Sequence, residues 1–304
     1  MDLLGALGVL VRVVETGSFS AVARERNVSQ AAVARQIGQL EEHFGLRLFH
    51  RTTRKLSLTD DGQMLLGYAR PVLDGVEGIE AALGRQSSSP VGLVRVAVPV
   101  AATHFLAPRL PTLLSEHPGL RVELVVGDRT GDMIEDRLDL AMRAGEITDK
   151  SLVVRRAGIS RRITVAAPAY LATRGTPANP DELTEHVCLV HSNGPDAALW
   201  TFASPERVIS VNVSGSFIAD DSSAIHLAAR HGHGIAHLPQ IEVFDDLREG
   251  RLVPLLSDYP SPPVPVSLVY PSRRHLAPRT RLVLDFMIEQ IRETQVTLAG
   301  AKQP

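Results

Sequence analysis

Five residues of one short stretch, "VSQAAVARQIGQLEEHFG" (28–45), combine types that can read a nucleic-acid duplex: Ser29, Gln30, Ala31, Ala34 and Arg35. Glutamine pairs a donor and an acceptor that match adenine, arginine presents a fork that matches guanine, and alanine methyl groups can touch the thymine methyl. Further on, Arg51, Thr52, Thr53, Arg54 and Lys55 bring charge and hydroxyl groups suited to phosphates, which position a protein without specifying sequence. None of these types, in this pattern, implies bond making.

Such side chains act only if short helices hold them. Leu3, Leu7, Leu10, Val11 and Val14 recur at helical spacing and end at Gly17. Ser18 can cap a second helix carrying Phe19 and Val22, which stops at Asn27, a residue tolerant of a left-handed C-terminal position. Ser29 caps a third, with Val33, Ile37 and Leu40 as its buried stripe. That stripe leaves Gln30, Ala31, Ala34, Arg35 and Gly38 outside. Two short helices across a tight turn make a helix-turn-helix, whose second helix enters the major groove. "LRLFHRTTRKLSLT" then alternates with period two around "RTTR", the pattern of a hairpin wing.

The charge distribution agrees. Between Arg24 and Lys55 seven basic residues face three acidic ones, a balance of +4 within a chain of net charge −2, so the remainder carries −6. Local basic patches, not totals, steer a protein to nucleic acid. Glu41 and Glu42 are expected on a solvated face away from phosphates.

Thr59, Asp60 and Asp61 open a further helix, where Leu65, Ala69, Val72, Val76, Ile79 and Leu83 repeat in steps of four and three. This is a coiled-coil seam and predicts a dimerisation helix, with Pro71 inside it as a kink-forming exception. The Ser-rich "RQSSSPVG" (85–92) marks a domain boundary. Beyond it strands and helices alternate: "GLVRVAVP" as strand, "FLAPRLPTLLSEHP" as one helix, "MIEDRLDLAMRAG" as a helix running into a strand. Such alternation favours a mostly parallel sheet.

No segment has the character of a signal peptide or a membrane span, and the lone cysteine, Cys188, sits in an apolar run as a buried small hydrophobe. Both point to the cytoplasm. Nucleophile-elbow, phosphate-loop and zinc-protease motifs are missing, and "GHGIAH" lacks the third glycine of a dinucleotide site. Of His226, His231, His233 and His237 only His233 and His237 have the four-residue spacing of a shared metal, and Gly232 and Gly234 interrupt that pair, so these histidines are expected at the surface or in turns. Asp220 with Asp221, and Asp245 with Asp246, suit helix capping better than acid–base work. No catalytic residue, metal or cofactor is therefore expected.

The stretch "GSFSAVARERNVSQAAVARQIGQLEEHFGLRLFHRTTRKLSLTDDG" resembles the winged-helix domain of the LysR-type transcriptional regulators. The likeness continues through "GLVRVAVPVAATHFLAPRLPTLLSEHPGLRVELVVGD" and "DRLDLAMRAG" to "LVYPSRRHLAPRTRLVLDF", covering essentially the whole chain. It implies a multidomain protein: an N-terminal winged helix-turn-helix (1–59), a linker helix and hinge (60–90), and a C-terminal α/β effector domain of two subdomains like a periplasmic binding protein (91–304). Subdomain I would be about 91–163 with 266–304, and subdomain II about 164–265.

The resemblance further implies a homodimer or homotetramer on inverted-repeat promoter DNA, a small-molecule effector in the cleft, and no enzyme activity. RNA polymerase is admitted as a further partner. Matched by position, the effector contacts would be Val100, Ala101, Thr103, Arg143, Ser192, Phe202 and His237. Small apolar residues at Val100 and Ala101, where relatives carry Ser or Thr, imply a less polar pocket, for an aromatic or otherwise apolar metabolite. Ala31 and Ala34 stand where the family commonly has proline and serine, which makes the operator sequence less predictable. A different reading makes the α/β half a catalyst or solute binder and the N-terminal module a protein contact. Residues 18–59, which such a protein would not need, argue against it.

Overall fold

The computed structural model describes residues 1–50, 56–82, 90–127, 133, 135–192, 194, 196–271 and 276–300. Two units divide the chain, the first chiefly residues 1–93 and the second chiefly those that follow.

Local chemistry sets the helices of the first unit. α1 (Leu3–Thr16) starts at Asp2, whose carboxylate accepts from the Gly5 amide, and ends where Gly17 takes a left-handed φ of 64°. α2 (Phe19–Glu25) is capped by Ser18 Oγ on the Ala21 amide, and the chain reverses at Asn27, with φ 54°. α3 (Gln30–Phe44) is capped by Ser29 Oγ on the Ala32 amide at 3.1 Å and ends at Gly45. Each cap contributes about 1 kcal/mol by satisfying an otherwise unpaired amide.

Leu7, Leu10 and Val13 of α1, Val22 of α2 and Val33, Ile37 and Leu40 of α3 share one buried cluster. Each such side chain contributes ~2 kcal/mol on burial. The wing closes on this cluster: Phe49 pairs with Leu58, and its ring packs edge-on to Phe19 at 5.5 Å. Arg51, Thr52, Thr53, Arg54 and Lys55 lie outside the described residues.

α4 (Asp60–Ala82) runs through Pro71 as one helix, with Thr59 Oγ1 accepting from the Gly62 amide at its start. The heptad seam is only partly free. Ala69, together with Leu66, is buried in the first unit's core, whereas Met64, Tyr68, Val72 and Ile79 are exposed. Val72 and Ile79 of the expected seam thus stay exposed with Met64 and Tyr68 beside them, while the core of the first unit takes up Ala69.

The second unit contains two sheets. β1 (Gly92–Val98), α5 (Val100–Leu106), α6 (Leu110–Glu116), β2 (Leu120–Val126), β3 (Leu140–Ala144) and β4 (Leu152–Ser160) come first. β5 (Arg162–Ala166), α7 (Pro168–Arg174), β6 (Cys188–His191), β7 (Leu199–Ala203), β8 (Val208–Asn212) and β9 (Ile218–Ala219) follow. Then come α8 (Ser222–Arg230), β10 (Ile235–Pro239), α9 (Gln240–Arg248), β11 (Val253–Leu255), β12 (Val264–Pro271) and α10 (Pro278–Gly300). One sheet has the order β2-β1-β3-β12-β4, the other β11-β5-β10-β6-β9, and β7 with β8 forms a separate hairpin.

Both five-stranded sheets are mixed, not mostly parallel. β1 and β3 are parallel, as are β10 and β6, but β12 is antiparallel to β3 and β4, and β5 is antiparallel to β10. The cause is the double crossing: the chain leaves the first sheet along β4 and returns along β12 in the opposite sense. "FLAPRLPTLLSEHP" is not one helix either. α5 stops before Pro108, and Pro111 sits in the first turn of α6, where its missing N–H costs nothing. The described residues of "MIEDRLDLAMRAG" form a turn leading into β3, with no helix among them.

Among the described residues no single helix is long and apolar enough to cross a membrane. α1 and α2 would pass together only as a pair bent by 120°, and their apolar faces form the buried core just described.

Candidate nucleic-acid interface and ligand cavity

Gln30, Ala31, Ala34 and Arg35 of α3 are all exposed, whereas Val33, Ile37 and Leu40 of the same helix are buried. The face is held from two directions. Arg12 on α1 reaches both carboxylate oxygens of Glu25 on α2, at 2.9 and 2.6 Å, and Glu15 at 2.6 Å, which locks α1 to α2. Ser20 on α2 donates to Gln30 Oε1 at 3.0 Å, tying the first side chain of α3 to the preceding helix. Ser29 supplies the cap and lies at the same exposed end.

Glu41 departs from the solvated-face expectation. It accepts from the Leu48 amide at 2.8 Å and from Arg47 at 3.3 Å, so it anchors the start of the wing. Both partners lie beyond the end of α3, which is why helical periodicity missed it.

The second unit carries a half-open cavity of about 1300 Å³. Of the residues matched by position, Ala101, Arg143 and Ser192 line it, whereas Val100, Thr103, Phe202 and His237 do not. Thr103 turns its hydroxyl back to the Val100 carbonyl at 2.7 Å. Phe202, 1% exposed, belongs to a core cluster with Trp200 and Ile235. His191 at the end of β6, Ser222 at the start of α8, and Arg161 and Arg162 after β4 complete much of the polar wall. No motif announced them, since they meet only through the topology.

His237 is a core histidine. Its Nδ1 lies 3.0 Å from Thr164 Oγ1 and its Nε2 3.2 Å from Ser261 Oγ, with Trp200 stacked on the ring at 5.2 Å. Burial, and then the nearby charge of Arg162, lower its pKa to about 3. An unfolded histidine takes up a proton below about pH 6.5, while the buried one stays neutral, so stability present above that pH is lost as pH falls toward 3. Between pH 7.5 and pH 5 the second unit should lose about 2 kcal/mol from this residue. Urea unfolding at the two pH values, repeated on His237→Gln, checks this: the variant should show a shallower slope, and an unchanged slope would contradict the assignment.

His226 is not a free surface histidine either. Its Nε2 bonds Asp246 at 2.5 Å, and Arg251 bonds the other oxygen of the same carboxylate. Burial opposes ionisation of Asp246, but the bonds from Arg251 and His226 outweigh it and hold the carboxyl below its usual range. Asp246 thus lies inside α9 as an ion-pair centre, not at a helix start, whereas Asp221 does cap α8. No cluster of metal-ligating groups occurs among the described residues. Cys188 is fully buried, and burial pushes its thiol up to about 12, so it is a packing residue with little thiolate character.

A helix-turn-helix with Gln30, Ala31, Ala34 and Arg35 exposed on its second helix, together with a two-sheet unit around a cavity, has the make-up of a ligand-responsive DNA-binding regulator. Comparison with known proteins agrees. Residues 4–63 match the model of bacterial regulatory helix-turn-helix proteins of the lysR family, and residues 87–292 match the LysR substrate binding domain. The transcriptional regulator CrgA of Neisseria meningitidis serogroup C is 34% identical over 288 residues, which are 94% of this chain and 96% of CrgA. The solved structure of CrgA superposes with a TM-score of 0.63 at 33% identity, covering 94% of this chain and 98% of that one. The full-length Vibrio cholerae virulence activator AphB gives 0.59 at 27% identity, covering 95% and 99%.

The chain belongs to the LysR family of transcriptional regulators. It is a DNA-binding regulator with a substrate-binding effector domain.

Proposed function

We propose that α3 reads promoter bases through Gln30, Ala31, Ala34 and Arg35, with Ser29 at its entry. Arg51, Thr52, Thr53, Arg54 and Lys55 grip phosphates beside it. The observation that carries this is that α3 exposes Gln30, Ala31, Ala34 and Arg35 while its Val33, Ile37 and Leu40 are buried in the core. The exposed stripe Met64, Tyr68, Val72 and Ile79 on α4 serves a homodimer or homotetramer, since apolar residues at this spacing gain by pairing with a copy.

A small-molecule effector occupies the cavity against Ala101, Arg143 and Ser192, and shifts how paired α3 helices are presented to an inverted repeat. The functional boundaries are 1–59, 60–90 and 91–304. The protein acts in the cytoplasm without chemistry or cofactor of its own, and RNA polymerase is the further partner such a regulator admits.

Fluorescence anisotropy on DNA upstream of the chain's own reading frame tests the α3 assignment. Arg35→Ala should lose roughly ten- to a hundredfold of the discrimination between that DNA and a scrambled duplex. Arg54→Ala should weaken both alike. Unaltered discrimination in Arg35→Ala would overturn the assignment.

A further inference from the structure

One side-chain hydrogen bond joins the two helices of the helix-turn-helix at their exposed starts. Ser20 Oγ, on the second residue of α2, donates to Gln30 Oε1, on the first residue of α3, at 3.0 Å. The two meet because the chain reverses at Asn27, where the Val28 amide bonds the Ala23 carbonyl at 2.9 Å.

The backbones on both sides of this bond are fixed. Val22 and Val33 are fully buried in one core, Ser18 and Ser29 cap the two helices, and Arg12 of α1 holds Glu25 at the end of α2. Ser20 and Gln30 are themselves exposed, so what their bond restrains is the Gln30 side chain, not the placement of the helices.

A serine hydroxyl carries one hydrogen. Ser20 gives it to Gln30 and has none left for a DNA phosphate, the usual partner of an exposed serine beside a groove. With Oε1 held, the order of the two ends of the Gln30 amide is set, and Nε2 is left as the uncommitted donor. An unrestrained glutamine can turn its amide over, exchanging donor and acceptor, or swing away from a base that does not match it. A restrained one leaves a wrong base facing an unmatched group, which is how a contact comes to discriminate. Restraint before binding also lowers the ordering cost of the correct contact.

We infer, on the reading of α3 as the helix that enters the groove, that Ser20 is a positioning residue. It touches no base and yet sets the preference at the one base pair that Gln30 reads. The bond strengthens when DNA excludes water from it, because a hydrogen bond gains in a low-dielectric setting. Specificity at that base pair is thus a property of α2 and α3 together.

Selection of duplexes from a random pool by the full chain tests this, followed by anisotropy on the selected site and its single-base variants. Gln30→Ala should flatten the preference at one base pair and so locate it. Ser20→Ala should reduce the preference there severalfold, leaving the other positions, the affinity for scrambled duplex, the salt dependence and the thermal stability unchanged. Ser20→Thr, which keeps the hydroxyl, should retain the wild-type preference. In the Gln30→Ala background, Ser20→Ala should change nothing further, because the group it positions is gone.

A Ser20→Ala variant that weakens every duplex alike and lessens the salt dependence would make Ser20 a phosphate contact and overturn the inference. So would an unaltered preference at the Gln30 base pair, or equal losses with and without Gln30. If Arg35→Ala flattens a position and Gln30→Ala flattens none, the inference falls while the reading of α3 stands. If neither variant flattens any position, the reading of α3 fails and the inference with it.

Discussion

Leu40→Ala should abolish DNA binding at physiological temperature while leaving the second unit folded. Leu40 is fully buried on the inner face of α3, in one cluster with Leu10 and Val13 of α1 and Val22 of α2. Truncation removes most of an apolar side chain and leaves a cavity that three short helices, pinned by caps at Ser18 and Ser29, cannot close by shifting. The cost is about 3 kcal/mol. A module this small buries too little surface to absorb such a loss, and its unfolding midpoint should fall by roughly 15 °C. Calorimetry on the full chain checks this: the transition of the DNA-binding module should move and that of the α/β unit should not. A shift of only a degree or two would contradict the packing role given to Leu40.

Gly215→Ala should be at least as damaging, and for a different reason. A Cβ at Gly215 would stand 1.7 Å from the Cys188 carbonyl oxygen and 2.9 Å from its carbonyl carbon. Both atoms are backbone of β6, so no rotamer change relieves the overlap. The strand flank must lift away, which breaks the bonds from the Cys188 amide to Ser214 and from the Val190 amide to Phe217, at 3.2 and 3.1 Å. Losses of this type are on the order of 4 kcal/mol or more. Because β6 delivers His191 and Ser192 to the cavity wall, ligand binding should disappear with stability. Thermal unfolding of the second unit is the measurement, and near-native stability of Gly215→Ala would refute the close approach.

How much could be read from the residues alone depended on range. The α3 helix was legible because everything that defines it is local: Ser29 and Gly45 bound it, and Val33, Ile37 and Leu40 mark its inner face. The α4 seam was legible only in part. Spacing cannot tell that Leu66 and Ala69 are claimed by the first unit's core, leaving Met64, Tyr68, Val72 and Ile79 outside. The mixed sheets were beyond reach, because the antiparallel β12 depends on a return crossing more than ninety residues after β4 leaves.

The cavity shows the same limit. Ala101, Arg143 and Ser192 could be placed by position, but Phe202 and His237 turn into a core with Trp200, a choice made by strand pairing with no local signal. Ser222 could not have been found at all from spacing, since it joins the cavity wall only through the topology.

The central claim is that this chain recognises a particular duplex through α3, and its most direct test is anisotropy of the wild-type protein on DNA upstream of its own reading frame over a range of salt. The structure predicts binding at least a hundredfold tighter than to a scrambled duplex of equal length, with affinity falling steeply as salt rises because cationic side chains displace counterions from phosphates. Equal affinity for both duplexes at every salt concentration, or no binding to DNA from this or neighbouring promoters, would contradict it.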